Sequence, residues 1–210
     1  MKVLHVGATG LVGRLVLPRL LEEDAVLQVV APTRRPLAVQ SDRLLNPVVD
    51  FDALPADAAW WDTDAVICTL GTTMAAAGSR EAFRRVDFDY PLAVARLARQ
   101  HGAQAFALNS AMGADARSRV FYNQVKGDLE EALAAIGFES LALVRPGLID
   151  GDRSEHRSGE AFALAASRLL RPLLPRQWQP SRGERIADTL VGAALLPRPG
   201  VHVVEAGALA

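Results

Sequence analysis

The sequence is poor in cysteine, in net charge and in long apolar runs, and each shortage excludes a class of protein. Cys68 is the single cysteine, so the chain forms no internal disulfide, which suits a reducing compartment. A net charge of -1 over 210 residues gives no general attraction to nucleic acid or to an anionic membrane. The apolar stretch at 161–175 is interrupted by Arg168, Arg171 and Pro172, so it stays below the ~18 residues that a membrane span needs.

Signals for export and for metal binding are missing as well. The chain opens directly on an apolar, β-type run rather than on a basic and then apolar leader. The four histidines and the acidic residues show no metal-ligand spacing. Half of the residues are apolar, which predicts one globular domain over 1–210 with a sizeable core. We therefore expect a cytoplasmic protein that binds neither nucleic acid nor membrane.

The most informative motif is the glycine-rich stretch at residues 7–13, Gly-Ala-Thr-Gly-Leu-Val-Gly. It follows a short β-branched run and precedes an apolar face at helical spacing, which is the context of a dinucleotide-binding turn. Gly7 permits the tight turn, Gly10 lets the backbone approach a pyrophosphate, and Gly13 lets the helix pack closely on the sheet. The N-terminus of the helix offers free N–H groups and a positive dipole end to the phosphates.

Apolar runs and helical patterns alternate along the rest of the chain, which predicts an α/β fold with a doubly wound parallel sheet. We expect a small cap at 148–185 on the substrate side, because the chain turns polar after the sixth strand. Strands are predicted at 2–6, 27–31, 47–51, 65–70, 105–108, 141–144 and 201–204. Helices are predicted at 11–23, 80–101, 120–136, 160–171 and 184–195, and a small, flexible stretch at 74–79.

The end of the second strand decides the choice of cofactor. An acidic residue about 20 positions past the glycines accepts a hydrogen bond from the adenosine ribose, whereas arginine pairs with a 2′-phosphate. Arg34 and Arg35 stand there without an acid, which favours NADP(H) over NAD(H); the alternative is a solvated basic turn. Asp50 is a candidate for the adenine amino group or simply a surface acid. The loop after the fourth strand places Gly71 and Thr72 at the ligand crevice.

Three residues carry the chemistry that we expect beside this cofactor. Tyr122 and Lys126 are four positions apart on one predicted helix, so their side chains point at the same surface. Free tyrosine has a pKa of about 10, and a nearby lysine ammonium favours the phenolate and makes the phenol a usable acid–base catalyst. Ser110, at the carboxyl end of a strand, would hydrogen-bond the substrate oxygen. Hydride transfer to a carbonyl with proton donation by Tyr122, or the reverse oxidation, follows from this set.

The chain resembles the atypical NADP-binding branch of the short-chain dehydrogenases/reductases, and more narrowly the Tat-interacting protein oxidoreductase subfamily. The resemblance is carried by residues 68–73, 86–87, 110–115, 122–127 and 145–147. It implies the Rossmann fold and the roles just described for Ser110, Tyr122 and Lys126, with Pro146-Gly147 beside the nicotinamide. The cofactor contacts predicted from motif and resemblance are Gly7, Thr9, Gly10, Leu11, Val12, Gly13, Arg34, Arg35, Asp50, Phe51, Leu70, Gly71, Thr72, Lys126, Pro146 and Leu148.

Two departures from the family pattern keep alternatives open. Many members carry an asparagine in the helix before the serine strand, where this chain has Asp87. The segment after Gly147 is short, which argues against a large nucleotide-sugar pocket. An NADP(H)-dependent oxidoreductase of a small molecule is favoured over an NADPH-sensing module that binds a protein partner, and an epimerase or isomerase is a third option. The resemblance leaves a homodimer open.

Overall fold

The computed structural model describes residues 1–150 and 179–210. Its strands are β1 (Lys2–Val6), β2 (Gln28–Val30), β3 (Leu44–Leu45), β4 (Ala65–Cys68), β5 (Ala105–Asn109), β6 (Ser140–Arg145), β7 (Ile149–Asp150), β8 (Ser181–Arg182) and β9 (Gly200–Glu205). Seven of them form a central sheet in which every pairing is parallel, with the strand order β3-β2-β1-β4-β5-β6-β9. The other two, β7 and β8, form a short parallel pair apart from this sheet.

Helices cover both faces of this sheet, so its central strands are buried on both sides. The helices are α1 (Gly13–Glu22), α2 (Met74–Ala77), α3 (Arg80–Arg84), α4 (Tyr90–Gln100), α5 (Phe121–Ala134) and α6 (Gly183–Leu195), with a π-helical turn at Arg85–Asp89 between α3 and α4. Alternate residues of one strand face opposite layers: Val3 packs with α1 and α6, and Leu4 packs with α4 and α5. The predicted doubly wound Rossmann fold is confirmed.

Three local predictions were wrong. The third strand lies at Leu44–Leu45 rather than at 47–51, where a single bridge joins Thr33 to Val48. The Asn46 amide ties this region to β2 by donating to the Ala31 carbonyl at 2.5 Å and to the Thr33 hydroxyl at 2.8 Å. The helix predicted at 80–101 is divided by the π turn. Residues 74–77 form a helix because the Thr73 hydroxyl caps it by accepting from the Ala76 amide at 3.1 Å.

The predicted cap at 148–185 is described only at its two ends, β7 and β8, and the helix predicted at 160–171 lies outside the described residues. No helix in the described part of the chain combines the length and the apolar character that crossing a membrane requires.

Gly127 lets the loop after β5 pack tightly on α5. A Cβ at this position would lie 2.1 Å from the Ala116 nitrogen and 2.2 Å from the Asp115 carbonyl carbon, which are backbone atoms that cannot swing away. We expect Gly127→Ala to lower the free energy of unfolding by about 3 kcal/mol, measured by urea denaturation. Gly192→Ala in α6 is the matched control, because nothing lies within 4 Å of its Cβ position. The control should be neutral or should stabilise by up to about 1 kcal/mol, and equal losses in both variants would contradict the prediction.

Candidate functional site

The glycine turn joins β1 to α1 in a geometry that side chains would block. Gly7 has a φ of +93°, and a Cβ there would lie 2.5 Å from the Thr69 carbonyl carbon. A Cβ on Gly13 would lie 2.0 Å from the Gly7 oxygen, which itself accepts from the Gly10 amide at 2.9 Å. No side chain caps α1, and its first turn holds no acidic residue. The N-terminus of α1 therefore fits an anionic pyrophosphate.

The loop after β2 presents two cationic side chains to solvent. Arg34 and Arg35 are exposed, and neither forms an ion pair within residues 1–150 and 179–210. The Thr33 hydroxyl fixes the loop backbone by donating to the Arg35 carbonyl at 2.6 Å. This arrangement fits a phosphate monoester at the end of β2.

Asp50 and Phe51 come after β3 and lie outside the strands, rather than at the end of a third strand at 47–51. Asp50 is exposed, and its carboxylate accepts a hydrogen bond from the Asp52 amide at 2.9 Å. Phe51 is buried, with its ring centroid 5.6 Å from that of Tyr90. Of the two, Asp50 is the one that a solvent-borne ligand can reach.

Lys126 and Asp87 form a buried ion pair beside the loop after β4. The Lys126 Nζ lies 2.8 Å from one carboxylate oxygen of Asp87, and the two side chains are 5% and 1% exposed. The other oxygen of Asp87 accepts from the Thr72 amide at 2.7 Å. Burial alone would lower the pKa of Lys126, but nearby negative charge, chiefly that of Asp87, outweighs it, so the net pKa is raised. Lys126 is therefore a cation at neutral pH.

Gly71 lies directly beside this ion pair, and a side chain at this position would crowd it. A Cβ on Gly71 would lie 3.3 Å from Asp87 Oδ1 and 3.7 Å from Lys126 Nζ. Thr69 and Leu70, which precede Gly71, supply the backbone atoms against which Gly7 packs. One short loop therefore packs against the glycine turn on one side and lies beside the lysine on the other.

Tyr122 lies at the solvent-facing edge of the same site. Its side chain is 36% exposed, and its ring centroid lies 5.6 Å from that of Phe83 in α3. One helical turn separates it from Lys126, as the spacing in the sequence predicts. The phenol is thus accessible to a substrate while its ring is held by an aromatic contact.

Ser110 is buried and faces a second ion pair rather than Tyr122. Its hydroxyl donates to Glu130 Oε1 at 2.5 Å, and Arg145 Nη2 lies 2.5 Å from Glu130 Oε2. Arg145 Nε donates to the first oxygen as well, at 3.1 Å. Within the described part of the chain, no hydrogen bond joins Ser110 to Tyr122.

Glu130 is a site residue that no motif in the sequence predicts. A signal was present, because Tyr122, Lys126 and Glu130 follow one another at four-residue intervals and so form one stripe along α5. The partner of Glu130 comes from β6, however, and that contact cannot be read from helical spacing.

Pro146 and Leu148 extend the site along the end of β6. The Pro146 carbonyl accepts from the Met112 amide at 2.8 Å, which ties this segment to the loop after β5. The Gly147 amide donates to the Ser181 hydroxyl at 3.0 Å, so β8 is anchored to the same segment. Pro146 is buried, and Leu148 is 45% exposed at the predicted nicotinamide side.

Comparison with known proteins identifies the family. Residues 7–155 match the family model described as NAD(P)H-binding. Protein fmp52, mitochondrial, of Emericella nidulans is 37% identical over 170 residues, which are 75% of this chain and 71% of the relative. The Eremothecium gossypii FMP52 protein is 33% identical over 98% of this chain and 94% of its own length. Protein HTATIP2 of Rattus norvegicus is 38% identical over 77% of this chain and 68% of its own.

Solved structures show the same fold at low sequence identity. MoeE5 in complex with UDP-glucose and NAD has a TM-score of 0.74 at 17% identity, covering 97% of this chain and 75% of MoeE5. A short chain dehydrogenase family protein from Francisella tularensis has a TM-score of 0.67 at 11% identity, covering 99% of this chain and 98% of its own.

These relatives correct one prediction and support the family assignment. The cytoplasmic localisation expected from composition is contradicted, because the fungal relatives carry mitochondrial names. The sequence relationship, the family model and the shared fold agree with one another. The chain therefore belongs to the NAD(P)H-binding family, as an atypical short-chain dehydrogenase/reductase related to HTATIP2 and the FMP52 proteins.

Proposed function

We propose that this protein is an NADP(H)-dependent oxidoreductase that acts on a small carbonyl or alcohol substrate. One observation carries the proposal: the loop at residues 69–72 packs against Gly7 on one side and lies beside Lys126 on the other. A dinucleotide whose phosphates occupy the glycine turn can thus extend past Gly71 toward Lys126 and Tyr122. The bound nicotinamide supplies a hydride-transfer centre at that end.

The residues of the chain supply proton transfer and orientation. Tyr122 donates its phenolic proton to the carbonyl oxygen, and the Lys126 ammonium stabilises the resulting phenolate. Lys126 also offers N–H groups to the ribose hydroxyls of the cofactor. Ser110 binds the substrate oxygen in this proposal, for which its hydroxyl hydrogen must turn away from Glu130.

The direct test follows NADPH consumption by the full chain with a panel of small aldehydes and ketones. Reduction of at least one compound, with stoichiometric formation of the alcohol, is the expected result. NADPH that binds tightly without any turnover across the panel would contradict the proposal.

Preference for the phosphorylated cofactor is assigned to Arg34 and Arg35. Arg34→Ala should raise the Kd for NADPH about 10-fold or more and leave the Kd for NADH nearly unchanged, because only NADPH carries the 2′-phosphate. Titration by nicotinamide fluorescence measures both constants. Arg96→Ala, which removes an exposed cation on α4, is the matched control and should change neither. Tighter binding of NADH than of NADPH by the unaltered protein would refute the assignment.

A cofactor-sensing module that docks a protein partner is the second candidate. This candidate is supported by Ser110, because its hydroxyl donates to Glu130 and is not turned toward Tyr122. The name of the rat relative, HTATIP2, is a second support, because it suggests an interaction with a protein. This candidate predicts tight NADPH binding, negligible turnover and a partner whose affinity depends on NADPH. Turnover on the carbonyl panel would leave it unsupported.

A further inference from the structure

The amino ends of the strands form the edge of the sheet opposite to the glycine turn, and this edge carries two exposed leucines. Leu196, directly after α6, is 77% exposed, and Leu27, directly before β2, is 71% exposed. Within residues 1–150 and 179–210 they are the two most exposed large apolar side chains. A lone exposed leucine is ordinary, but a continuous apolar surface marks a site of interaction.

The surface around these leucines is concave and continuous. Leu196 lines a groove of about 450 Å³ between the C-terminal halves of α1 and α6, together with apolar side chains such as Val191. Gly192 keeps this groove open, because nothing lies within 4 Å of the position that its Cβ would take. A second cavity, of about 470 Å³, is lined by Leu27 and by Pro197, the residue after Leu196. The two leucines therefore belong to one surface.

The charged groups along the groove leave a surplus of carboxylates. Arg19 Nε lies 2.5 Å from Asp188 Oδ1, and Lys2 Nζ lies 2.7 Å from Asp62 Oδ2, so these charges cancel in pairs. The three acids at residues 22–24 are exposed, and none of them forms an ion pair in the described part of the chain. The rim of the groove is thus acidic.

These three acids stand at the C-terminus of α1, where the helix dipole already favours cations. Arg43 lies at this helix end, but its guanidinium donates to the carbonyls of Leu21, Glu23 and Val26 rather than to the carboxylates. The carboxylates therefore stay open to a cationic partner.

We propose that the groove between α1 and α6 docks an amphipathic helix of a partner protein, with apolar side chains on one face and lysines or arginines beside them. The apolar face covers Leu27 and Leu196, and the cations meet the acids at residues 22–24. A helix fits, because two packed helices present a groove that accepts the side-chain ridges of a third. Gly192 lets that helix approach closely. The site lies at the opposite edge from the glycine turn, so it does not depend on the proposed function.

The test uses the full chain and a labelled synthetic helix of about 14 residues, or four turns, with leucines on one face and lysines on the other. Fluorescence anisotropy should show saturable binding of this lysine peptide. The same peptide with glutamate in place of lysine is the charge-reversed probe and should not bind. The titration needs neither cofactor nor turnover, so its outcome is separate from that of the carbonyl panel.

Leu196→Ser should raise the Kd for the lysine peptide about 10-fold, because the apolar contact is lost. Val48→Ser, which removes an exposed apolar side chain near the other edge of the sheet, is the matched control and should leave the Kd within about twofold. Conversion of all three acids at residues 22–24 to amides should also raise the Kd about 10-fold and reduce its dependence on salt. Glu131→Gln, on exposed α5 surface, is the control for charge.

An unchanged Kd in the variants of Leu196 and of residues 22–24, with folding verified by circular dichroism, would overturn the proposal. Equal binding of the lysine and glutamate peptides would overturn it as well. Sedimentation velocity tests the other occupant, a second copy of the chain. A dimer that Leu196→Ser converts to a monomer would assign the groove to self-association and refute the partner helix.

Discussion

Replacing Tyr122 with phenylalanine is expected to lower kcat for NADPH-dependent carbonyl reduction by a factor of about 100 to 10,000. The substitution removes the only group in the proposal that donates a proton to the substrate oxygen. It leaves the ring, and therefore the contact with Phe83, in place. Stopped-flow or steady-state absorbance of NADPH gives the rate, and fluorescence titration gives the Kd for NADPH, which should stay within about twofold of the original value.

Tyr90→Phe is the control for this experiment, because Tyr90 is the other tyrosine of the chain. Its ring packs on Phe51, and that contact survives the loss of the hydroxyl. We expect full activity from the control. Equal rates in Tyr122→Phe and in the unaltered protein would remove Tyr122 from the mechanism, whereas a parallel loss in both variants would indicate an indirect effect on folding.

The second large effect concerns stability and is expected at Glu130. Its carboxylate is 6% exposed and holds both the Arg145 guanidinium and the Ser110 hydroxyl. Glu130→Ala removes one partner of a largely buried ion pair, which costs about 3 to 5 kcal/mol in comparable cases. Typical domains are stable by about 5 to 15 kcal/mol, so a large share of the total would be lost. Urea denaturation followed by circular dichroism measures the difference.

Glu131→Ala is the matched control, since Glu131 is the next residue of α5 and is exposed. We expect a change within about 0.5 kcal/mol there. Glu130→Gln should be intermediate, because the amide oxygen still accepts from Ser110 while the charge opposite Arg145 is lost. A loss at Glu130 no larger than that at Glu131 would show that the pair contributes nothing net to stability.

Features that depend on neighbouring residues in the sequence were predictable. The strands β1, β4, β5 and β6 are short apolar runs, because a parallel sheet covered by helices is buried on both faces. The glycine turn follows directly on β1, so its function could be inferred from position alone. The spacing of Tyr122 and Lys126 likewise predicts one surface on α5.

Features that depend on distant contacts could not be predicted. The strand β3 has two residues, and the Asn46 side chain rather than a strand pattern joins its region to β2. The π turn joins α3 and α4 without a break in the apolar pattern of the sequence. Periodicity therefore predicts one continuous helix and does not reveal the turn. Asp87 meets Lys126, and Glu130 meets Arg145, only after the sheet and helices have assembled.

The π turn at Arg85–Asp89 also limits which changes of chain length this region can accept. One extra residue within a helix rotates everything after it by about 100° relative to what precedes it. The rotation lets Phe83 face α5 before the turn while Leu92 faces the sheet after it. A deletion of one residue here would displace either Phe83, the aromatic neighbour of Tyr122, or Leu92 in the core. Homologous proteins in which this segment is shorter should therefore have different side chains packed beside the residue equivalent to Tyr122.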